Sequence, residues 1–173
     1  MTLAIANLKV ARALDLGALY QMEQDTLAGI IRPSGYYNVK AKRLKSLVAY
    51  IVRVYNGNLE RFFDQAVTHL RSELLSVNGI GKETADSIIL YAAQKPIFVV
   101  DAYTKRVFGR HGIVPLESDY DSIQEFFHRH LPKDTLLFND YHAQLVAVGH
   151  NHCKKRPICK DCPLSTVFSG HMG

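Results

Sequence analysis

Residues 74–85 read Leu-Leu-Ser-Val-Asn-Gly-Ile-Gly-Lys-Glu-Thr-Ala. One helical pattern ends here, two glycines flank Ile80, and a second helical pattern begins at Lys82. Glycine permits positive φ and a close approach of a ligand to the backbone, and the free amides at a helix N-terminus favour a phosphate. The stretch therefore predicts a helix–hairpin–helix unit in which Ile80 packs into the core and Lys82 adds a positive charge. Taken alone, a Gly-x-Gly pattern is more typical of a plain turn between helices.

The rest of the chain has helical periodicity. Between residues 44 and 55 apolar side chains recur every three or four positions, and Asn-Gly-Asn at 56–58 ends that pattern. Further helices are predicted at residues 3–12, 59–63, 67–75, 82–94, 102–111, 120–130 and 136–152. Ser118 and Asp121 resemble a capping box at the start of the helix at 120–130. Only residues 97–100 have an extended pattern, and one short segment cannot form a sheet, so the predicted fold class is all-α.

The composition limits the class of protein. The chain has 173 residues, of which 47% are hydrophobic, as expected for one folded domain with or without a small appendage and not for a disordered chain. It has neither an apolar run long enough for a membrane span nor the pattern of a signal peptide. The formal charge of +5 is uneven, and a charge run alone is as often a solvated helix face as a binding surface. The two basic clusters are Arg32, Lys40, Lys42, Arg43, Lys45 and Arg53, and Lys154, Lys155, Arg156 and Lys160.

The hairpin is followed by Val-Val-Asp at residues 99–101, Lys-Arg-Val at 105–107 and a Cys-x5-Cys-x2-Cys pattern near the C-terminus. In this order and spacing the elements resemble the helix–hairpin–helix base-excision DNA glycosylases of the endonuclease III superfamily, over residues 4–162. The resemblance implies an all-helical, two-lobed fold with a substrate cleft between the lobes and a short cysteine-bearing C-terminal loop. It also implies a monomeric, cytoplasmic and nucleoid-associated enzyme whose partner is double-stranded DNA that contains a damaged base.

The resemblance also predicts how the chain is divided. Residues 1–134 are expected to form a helical domain, with the helix–hairpin–helix at about 67–94 and the aspartate segment at 97–111. Residues 135–173 are expected to supply the C-terminal helix and the cysteine loop of the second lobe. The N-terminal part of the family fold is expected to be absent. The hairpin residues expected to bind DNA are Asn78, Gly79, Ile80, Gly81, Lys82 and Thr84.

Asp101 lies between an apolar run and a helix, where an isolated aspartate is usually an N-cap. In the family that the chain resembles, this position holds the essential aspartate, and one carboxylate can fill both roles. Breaking an N-glycosidic bond develops positive charge on the sugar, which a carboxylate can stabilise while it orients or deprotonates an attacking water. One acidic residue can suffice when the leaving base is already cationic, as in an alkylated purine.

Glu83 occupies the position at which strand-cleaving relatives carry a lysine. That lysine forms a Schiff base at C1′, and Lys82, about 100° around the helix, is not expected to replace it. Glu83 itself is either a first-turn acid that favours the helix dipole or a pocket residue. The sequence therefore predicts a monofunctional glycosylase, most similar to the 3-methyladenine DNA glycosylase III branch, which removes alkylated purines by base flipping. The alternatives are an endonuclease III-like glycosylase and AP lyase for oxidised pyrimidines, and a non-catalytic DNA-binding helix–hairpin–helix module.

A flipped base needs an aromatic or apolar platform. The candidate aromatic residues are Tyr36, Tyr37, Tyr103 and Phe108. Tyr103 is slightly favoured because it lies two residues after Asp101. Each of the four is nevertheless expected to pack into the core, since helical aromatic side chains usually face inward, and no pocket residue is assigned.

The cysteines near the C-terminus are typical of a metal site. The three cysteines of the chain are Cys153, Cys159 and Cys162. Disulfides are not expected, since the number is odd and no export signal is present. Many relatives hold a [4Fe–4S] cluster here with four cysteines, but Phe168 stands at the fourth position, so that ligand set is incomplete. The candidate replacements for the fourth ligand, to iron or to zinc, are His150, His152 and His171. An incomplete [4Fe–4S] site, a zinc site and assembly without metal all stay open.

Overall fold

The computed structural model describes residues 2–167, and it is helical throughout this part of the chain, with no strand. The first seven helical segments are α1 (Thr2–Val10), α2 (Leu16–Gln21), α3 (Gln24–Ile30), a 3-10 turn (Arg32–Ser34), α4 (Tyr37–Tyr55), α5 (Leu59–Phe63) and α6 (Val67–Ser76). They are followed by α7 (Lys82–Ser87), a π-helical turn (Ile88–Ala92), α8 (Ala102–Arg110), α9 (Tyr120–His130) and α10 (Thr135–Asn151). The predicted all-α class is confirmed.

The chain divides into two compact units, Met1–Gly81 and Lys82–Gly173. This division falls inside the Gly-x-Gly hairpin and differs from the predicted one after residue 134. In the second unit α8 and α10 pack against each other, so the aspartate segment and the C-terminal helix belong to one unit. The single helix predicted at 82–94 is α7 followed by the π-helical turn.

The first unit is built around α4, whose apolar face includes Ala41, Val48 and Ile51. The helix begins seven residues before the predicted periodicity, directly after Tyr36, which has a left-handed backbone with φ 47°. It ends at Asn56, where the chain again turns left-handed and the amides of Asn56 and Gly57 donate to the Ile51 carbonyl. The predicted stop at Asn-Gly-Asn is therefore confirmed.

The short helices α2 and α3 were not predicted, whereas α5 was predicted with the observed bounds. Asp15 caps the start of α2 by accepting a hydrogen bond from the Ala18 amide. At the other end the Lys45 ammonium donates to the carbonyls of Leu19, Tyr20 and Met22, at 3.0, 2.6 and 2.6 Å. The exposed carbonyls and the dipole at the C-terminal end of a helix attract a cation. Lys45, a member of the first basic cluster, is therefore a structural residue.

Aromatic side chains form the core of the second unit. Phe98 stacks on Phe127 with ring centroids 3.7 Å apart and planes within 8°, and Phe108 and Phe138 pack edge-on against this pair. Helix α9 supplies Phe127 and spans Tyr120–His130, as predicted, but its N-cap lies one residue after Ser118. Its N-cap is Asp119, which accepts from the Ser122 amide, and the Ser118–Asp121 capping box is therefore wrong.

None of the helices between residues 2 and 167 is both long and apolar enough to cross a lipid bilayer.

Candidate active site

The extended segment 97–100 carries the chain to Asp101 without a partner strand. Buried amides and carbonyls need hydrogen-bond partners, and here they find them in side chains of α9. The Phe98 amide donates to His128 Nε2 at 3.0 Å, and Gln124 Nε2 donates to the Phe98 carbonyl at 2.6 Å. Gln124 also donates to the fully buried Asp86 of α7, at 2.7 Å. Helix α9 thus fixes the segment that positions Asp101.

Asp101 is 9% exposed and caps the N-terminus of α8. Its Oδ1 accepts two hydrogen bonds from Thr104, one from the amide at 2.7 Å and one from the hydroxyl at 2.8 Å. These bonds leave Oδ2 outside the cap, and it faces His142 Nε2 at 3.6 Å. The N-cap interpretation is therefore confirmed, with one carboxylate oxygen left for other interactions.

Charge on Asp101 is favoured by its neighbours. Burial alone would raise the pKa of this carboxyl, but the interactions with His142 and the two hydrogen bonds from Thr104 outweigh burial and lower it. Asp101 is consequently an ionised carboxylate at neutral pH although it is almost completely buried.

His142 and Tyr91 complete the surroundings of Asp101. Neither residue was predicted from the sequence to belong to this site. His142 lies on α10 and is 9% exposed, and the Tyr91 hydroxyl is 2.5 Å from its Nδ1. Burial, assisted by the negative charge of Asp101, raises the pKa of Tyr91 and keeps its hydroxyl protonated. His142 lies 41 positions after Asp101 and 51 positions after Tyr91 in the sequence. Residues so far apart form no local motif, so the sequence gives no signal for this contact.

Glu83 lies in the first turn of α7, in the same unit as Asp101. Partial burial raises the pKa of Glu83, the negative charge of Asp101 raises it further, and His142 opposes both. The charges of Asp101 and His142 thus act on Glu83, which is exposed.

The Gly-x-Gly hairpin has the predicted geometry in its first half. The Ile80 amide donates to the Val77 carbonyl at 3.1 Å, and Gly79 has φ +87°, a conformation that glycine adopts readily. Ile80 is buried, as predicted. A Cβ on Gly79 would lie 2.6 Å from Arg43 Cγ, whereas a Cβ on Gly81 would meet no atom within 4 Å. Of these two glycines, the fold therefore requires only Gly79, whereas the space above the Gly81 backbone is open.

Two polar side chains of the hairpin, Asn78 and Thr84, are exposed. Lys82 is exposed as well, but its Nζ lies 2.5 Å from Asp121 Oδ2, at the start of α9. A phosphate would therefore have to compete with Asp121 for this cation.

The candidate pocket aromatics differ in their surroundings. Phe108 is buried among aromatic rings, as expected. Tyr103 packs on Gly149 of α10, so closely that a Cβ on Gly149 would lie 2.3 Å from Tyr103 Cδ1. Tyr37 is partly buried and packs on the core of the first unit. Tyr36 is 87% exposed, and its expected place in the core is wrong because the left-handed turn before α4 directs its side chain to solvent.

The cysteine loop is attached to α8 by two arginines. Arg106 donates to the carbonyls of Cys153 and Gly149, at 2.5 and 3.1 Å, and Arg110 donates to the carbonyls of Lys154 and Lys155, at 2.5 and 3.0 Å. Arg110 also lies 3.4 Å from the sulfur of buried Cys153.

A metal at the cysteines stays a prediction of the sequence. Within residues 2–167 no three Cys, His, Asp or Glu side chains come together as a metal-ligand group, so Cys153, Cys159 and Cys162 do not fit a cluster in this conformation. Phe168 and His171 lie outside the described residues. We therefore assign no chemical step to a metal.

The chain matches known DNA repair proteins over most of its length. Residues 1–133 match the model of the HhH-GPD superfamily of base excision DNA repair proteins. A Methanocaldococcus jannaschii protein provisionally named as a DNA repair glycosylase is 47% identical, over 93% of this chain and 74% of its own length. Endonuclease III of Bacillus subtilis is 30% identical over 86% of this chain, which spans 62% of that enzyme.

Solved structures agree with this assignment. Helicobacter pylori 3-methyladenine DNA glycosylase (MagIII), crystallised with 1,N6-ethenoadenine, is 31% identical with a TM-score of 0.76, over 86% of this chain and 76% of that one. An endonuclease III in a non-covalent DNA complex is 26% identical with a TM-score of 0.73, over 90% and 68% of the two chains. The chain therefore belongs to the HhH-GPD superfamily of base excision DNA repair proteins, and its class of activity is that of a DNA glycosylase.

Proposed function

We propose that the protein is a monofunctional DNA glycosylase that hydrolyses the N-glycosidic bond of alkylated purines. The observation that carries the proposal is the pairing of a buried, ionised Asp101 with a carboxylate, Glu83, in place of an amine at the same site. Water is then the nucleophile, and the products are a free base and an intact strand with an abasic site.

Asp101 can act in two ways on a flipped nucleotide. As the bond to the base breaks, positive charge grows on the sugar, and a fixed carboxylate in a buried site stabilises that charge strongly. The Thr104 bonds fix the carboxylate through Oδ1, so that Oδ2 is the oxygen available to the sugar or to an attacking water. Proton transfer from that water to Oδ2 completes the hydrolysis.

Strand cleavage needs an amine that attacks C1′, and a carboxylate cannot form a Schiff base. The nearest lysine in sequence is Lys82, whose ammonium is paired with Asp121. We therefore propose that AP lyase activity is absent, in contrast to an endonuclease III-like mechanism.

The proposed substrate class follows from the use of one carboxylate, Asp101, in the proposed mechanism. An alkylated purine with a positive charge leaves without prior protonation, so one carboxylate is enough for it. The similarity to H. pylori MagIII, which was crystallised with 1,N6-ethenoadenine, supports a purine substrate.

We further propose that the protein binds damaged double-stranded DNA as a monomer, through Asn78, Gly79, Ile80, Gly81, Lys82 and Thr84. The support is local: the open space above Gly81 allows a phosphate to approach the backbone, and Ile80 anchors the hairpin. The DNA complexes of related glycosylases support the same partner.

The experiment is a substrate panel assayed under single-turnover conditions. Duplexes carrying 3-methyladenine, 7-methylguanine, thymine glycol, uracil or mismatched adenine are incubated with the protein, and free base and strand breaks are measured separately. We expect release of the methylated purines, no strand break before alkali treatment, and no covalent adduct on borohydride reduction. Preferential release of thymine glycol with an adduct would establish the lyase alternative, and DNA binding without release of any base would establish the non-catalytic alternative.

A further inference from the structure

The ring of His142 is polarised by two neighbours. Its Nδ1 lies 2.5 Å from the Tyr91 hydroxyl, and its Nε2 is buried without a hydrogen-bond partner among the described residues. A buried N–H without a partner is costly, which is why such groups in folded proteins usually have a role. The group nearest to Nε2 is Oδ2 of Asp101, at 3.6 Å.

The tautomer of His142 follows from Tyr91. A protonated hydroxyl that donates to Nδ1 requires that nitrogen to be an acceptor, so a neutral imidazole carries its proton on Nε2. That N–H then faces Asp101 Oδ2, the oxygen that the Thr104 cap leaves unused. The titratable groups around His142 are Asp101 from α8, Tyr91 from the π-helical turn and Glu83 from α7.

We propose that His142, oriented by Tyr91, is a positioning residue that holds Oδ2 of Asp101 in place and keeps it ionised for base release. The inference rests on the proposed role of Asp101 and adds to it the two residues that prepare this carboxylate. Removal of the N–H would leave the two Thr104 hydrogen bonds to oppose burial at Asp101, so that its protonation would begin at higher pH.

The test compares pH profiles of single-turnover base release for His142→Phe, His142→Gln and Tyr91→Phe on a methylated-purine duplex. For His142→Phe we expect a loss of roughly ten- to hundred-fold in rate and a shift of the acid limb to higher pH. His142→Gln, whose amide nitrogen reaches the place of Nε2, restores most of the rate and of the acid limb. Tyr91→Phe is expected to lower the rate and to shift the acid limb to higher pH, each by less than His142→Phe does.

An acid limb that stays in place in His142→Phe contradicts the inference, because a merely structural histidine would change the melting temperature and not the profile. If His142→Phe does not fold, Tyr91→Phe decides: a shifted acid limb supports the inference and an unchanged one overturns it. Asp101→Asn distinguishes a failure of the His142 inference from a failure of the proposed function. Retained base release in Asp101→Asn contradicts the proposed function itself.

One face of α4 supports a second proposal, on DNA binding, from independent contacts in the first unit. The stem of Arg43 lies against Gly79, and Arg53 lines a cavity of about 290 Å³ together with Ser76 and Asn78. Arg43 and Arg53 are separated by ten positions, about 15 Å along the helix axis, so they can reach different phosphates. No acidic residue occurs between Asp25 and Glu60.

Three other basic residues of this stretch make contacts within the protein, and Lys42 is exposed. Lys45 donates to three carbonyls, Lys40 donates to the Ser34 carbonyl, and the Arg32 guanidinium lies over the Tyr37 ring. We infer that Arg43 and Arg53 bind backbone phosphates of the DNA strand that the hairpin binds. This proposal rests on the hairpin as a DNA-binding element and names the side chains that extend it.

The test measures affinity for a duplex with a tetrahydrofuran abasic analogue as a function of salt. Each of Arg43→Met and Arg53→Met is expected to make the slope of log K against log salt less steep by about 0.9, the effect of one lost phosphate contact. Arg61→Met, the same change at an exposed arginine of α5, is the control and should keep the slope. A slope unchanged in Arg43→Met and Arg53→Met, or changed equally in the control, contradicts the proposal.

If Gly81→Leu also leaves affinity unchanged, the hairpin proposal fails as well.

Discussion

At the scale of single residues, one carboxylate has two tasks that use different oxygens. Oδ1 of Asp101 caps α8 through Thr104, and Oδ2 faces His142. The position of Asp101 could be predicted from the sequence because an N-cap and the family motif point to the same residue. Its partner His142 could not be predicted, since the packing of α8 against α10 brings them together and no local spacing encodes that contact.

The two hairpin glycines should respond differently to substitution. Gly79→Ala places a Cβ at φ +87° and against the Arg43 stem, so we expect a loss of about 1–2 kcal/mol in the free energy of unfolding. A Cβ on Gly81 meets no atom within 4 Å, so Gly81→Leu should keep the stability while it weakens DNA binding for all sequences alike. Urea unfolding and fluorescence anisotropy measure the two effects. Unaltered affinity in Gly81→Leu would remove the hairpin from the DNA interface.

The residue at position 83 should decide whether a covalent intermediate can form. We expect Glu83→Lys to give a borohydride-trapped adduct with abasic DNA, because an amine then stands where strand-cleaving relatives carry theirs. The wild-type protein should give no adduct. Thr84→Lys, one residue further around α7, is the matched control for an added amine. Adducts of equal yield from Glu83→Lys and Thr84→Lys would show that position 83 has no special access to the sugar.

At the scale of helices, the long amphipathic elements and the short α5 were predictable, whereas α2, α3 and the π-helical turn were not. Helix α4 and its stop at Asn56 follow from periodicity and turn residues. In contrast, α2 is stabilised by the distant Lys45 ammonium, and α3 packs against α4. The π-helical turn Ile88–Ala92 also has no signal in the sequence pattern. It carries Tyr91, so the site depends on an irregular element.

The packing of α8 on α10 depends on Gly149. A Cβ at this position would lie 2.3–2.7 Å from three Tyr103 atoms. We expect Gly149→Ala to lower the free energy of unfolding by about 1–3 kcal/mol, the usual cost of overpacking a close contact. The double variant Tyr103→Ala/Gly149→Ala should lose less than the sum of its single variants, as measured by urea unfolding. Strict additivity of the two changes would contradict a direct contact between them.

At the scale of the whole molecule, the family and the fold class were predictable from three motifs in order, while the placement of the boundary was not. The division at Gly81–Lys82 separates the two halves of the hairpin, whereas the sequence motif predicted both halves within one domain. The second unit by itself contains Asp101, Glu83, Tyr91 and His142. The proposed chemistry therefore resides in residues whose mutual contacts lie within one compact unit.

The most direct measurement is single-turnover release of 3-methyladenine by the wild-type protein and by Asp101→Asn, with DNA affinity measured in parallel. Asparagine keeps the shape and can still accept the Thr104 bonds at the helix cap, but it lacks the negative charge. We predict that Asp101→Asn loses base release by at least about 1,000-fold, as expected when a charge that stabilises the transition state is removed, while it binds the same duplex. Base release by Asp101→Asn at the wild-type rate would contradict the central claim that this carboxylate carries the reaction.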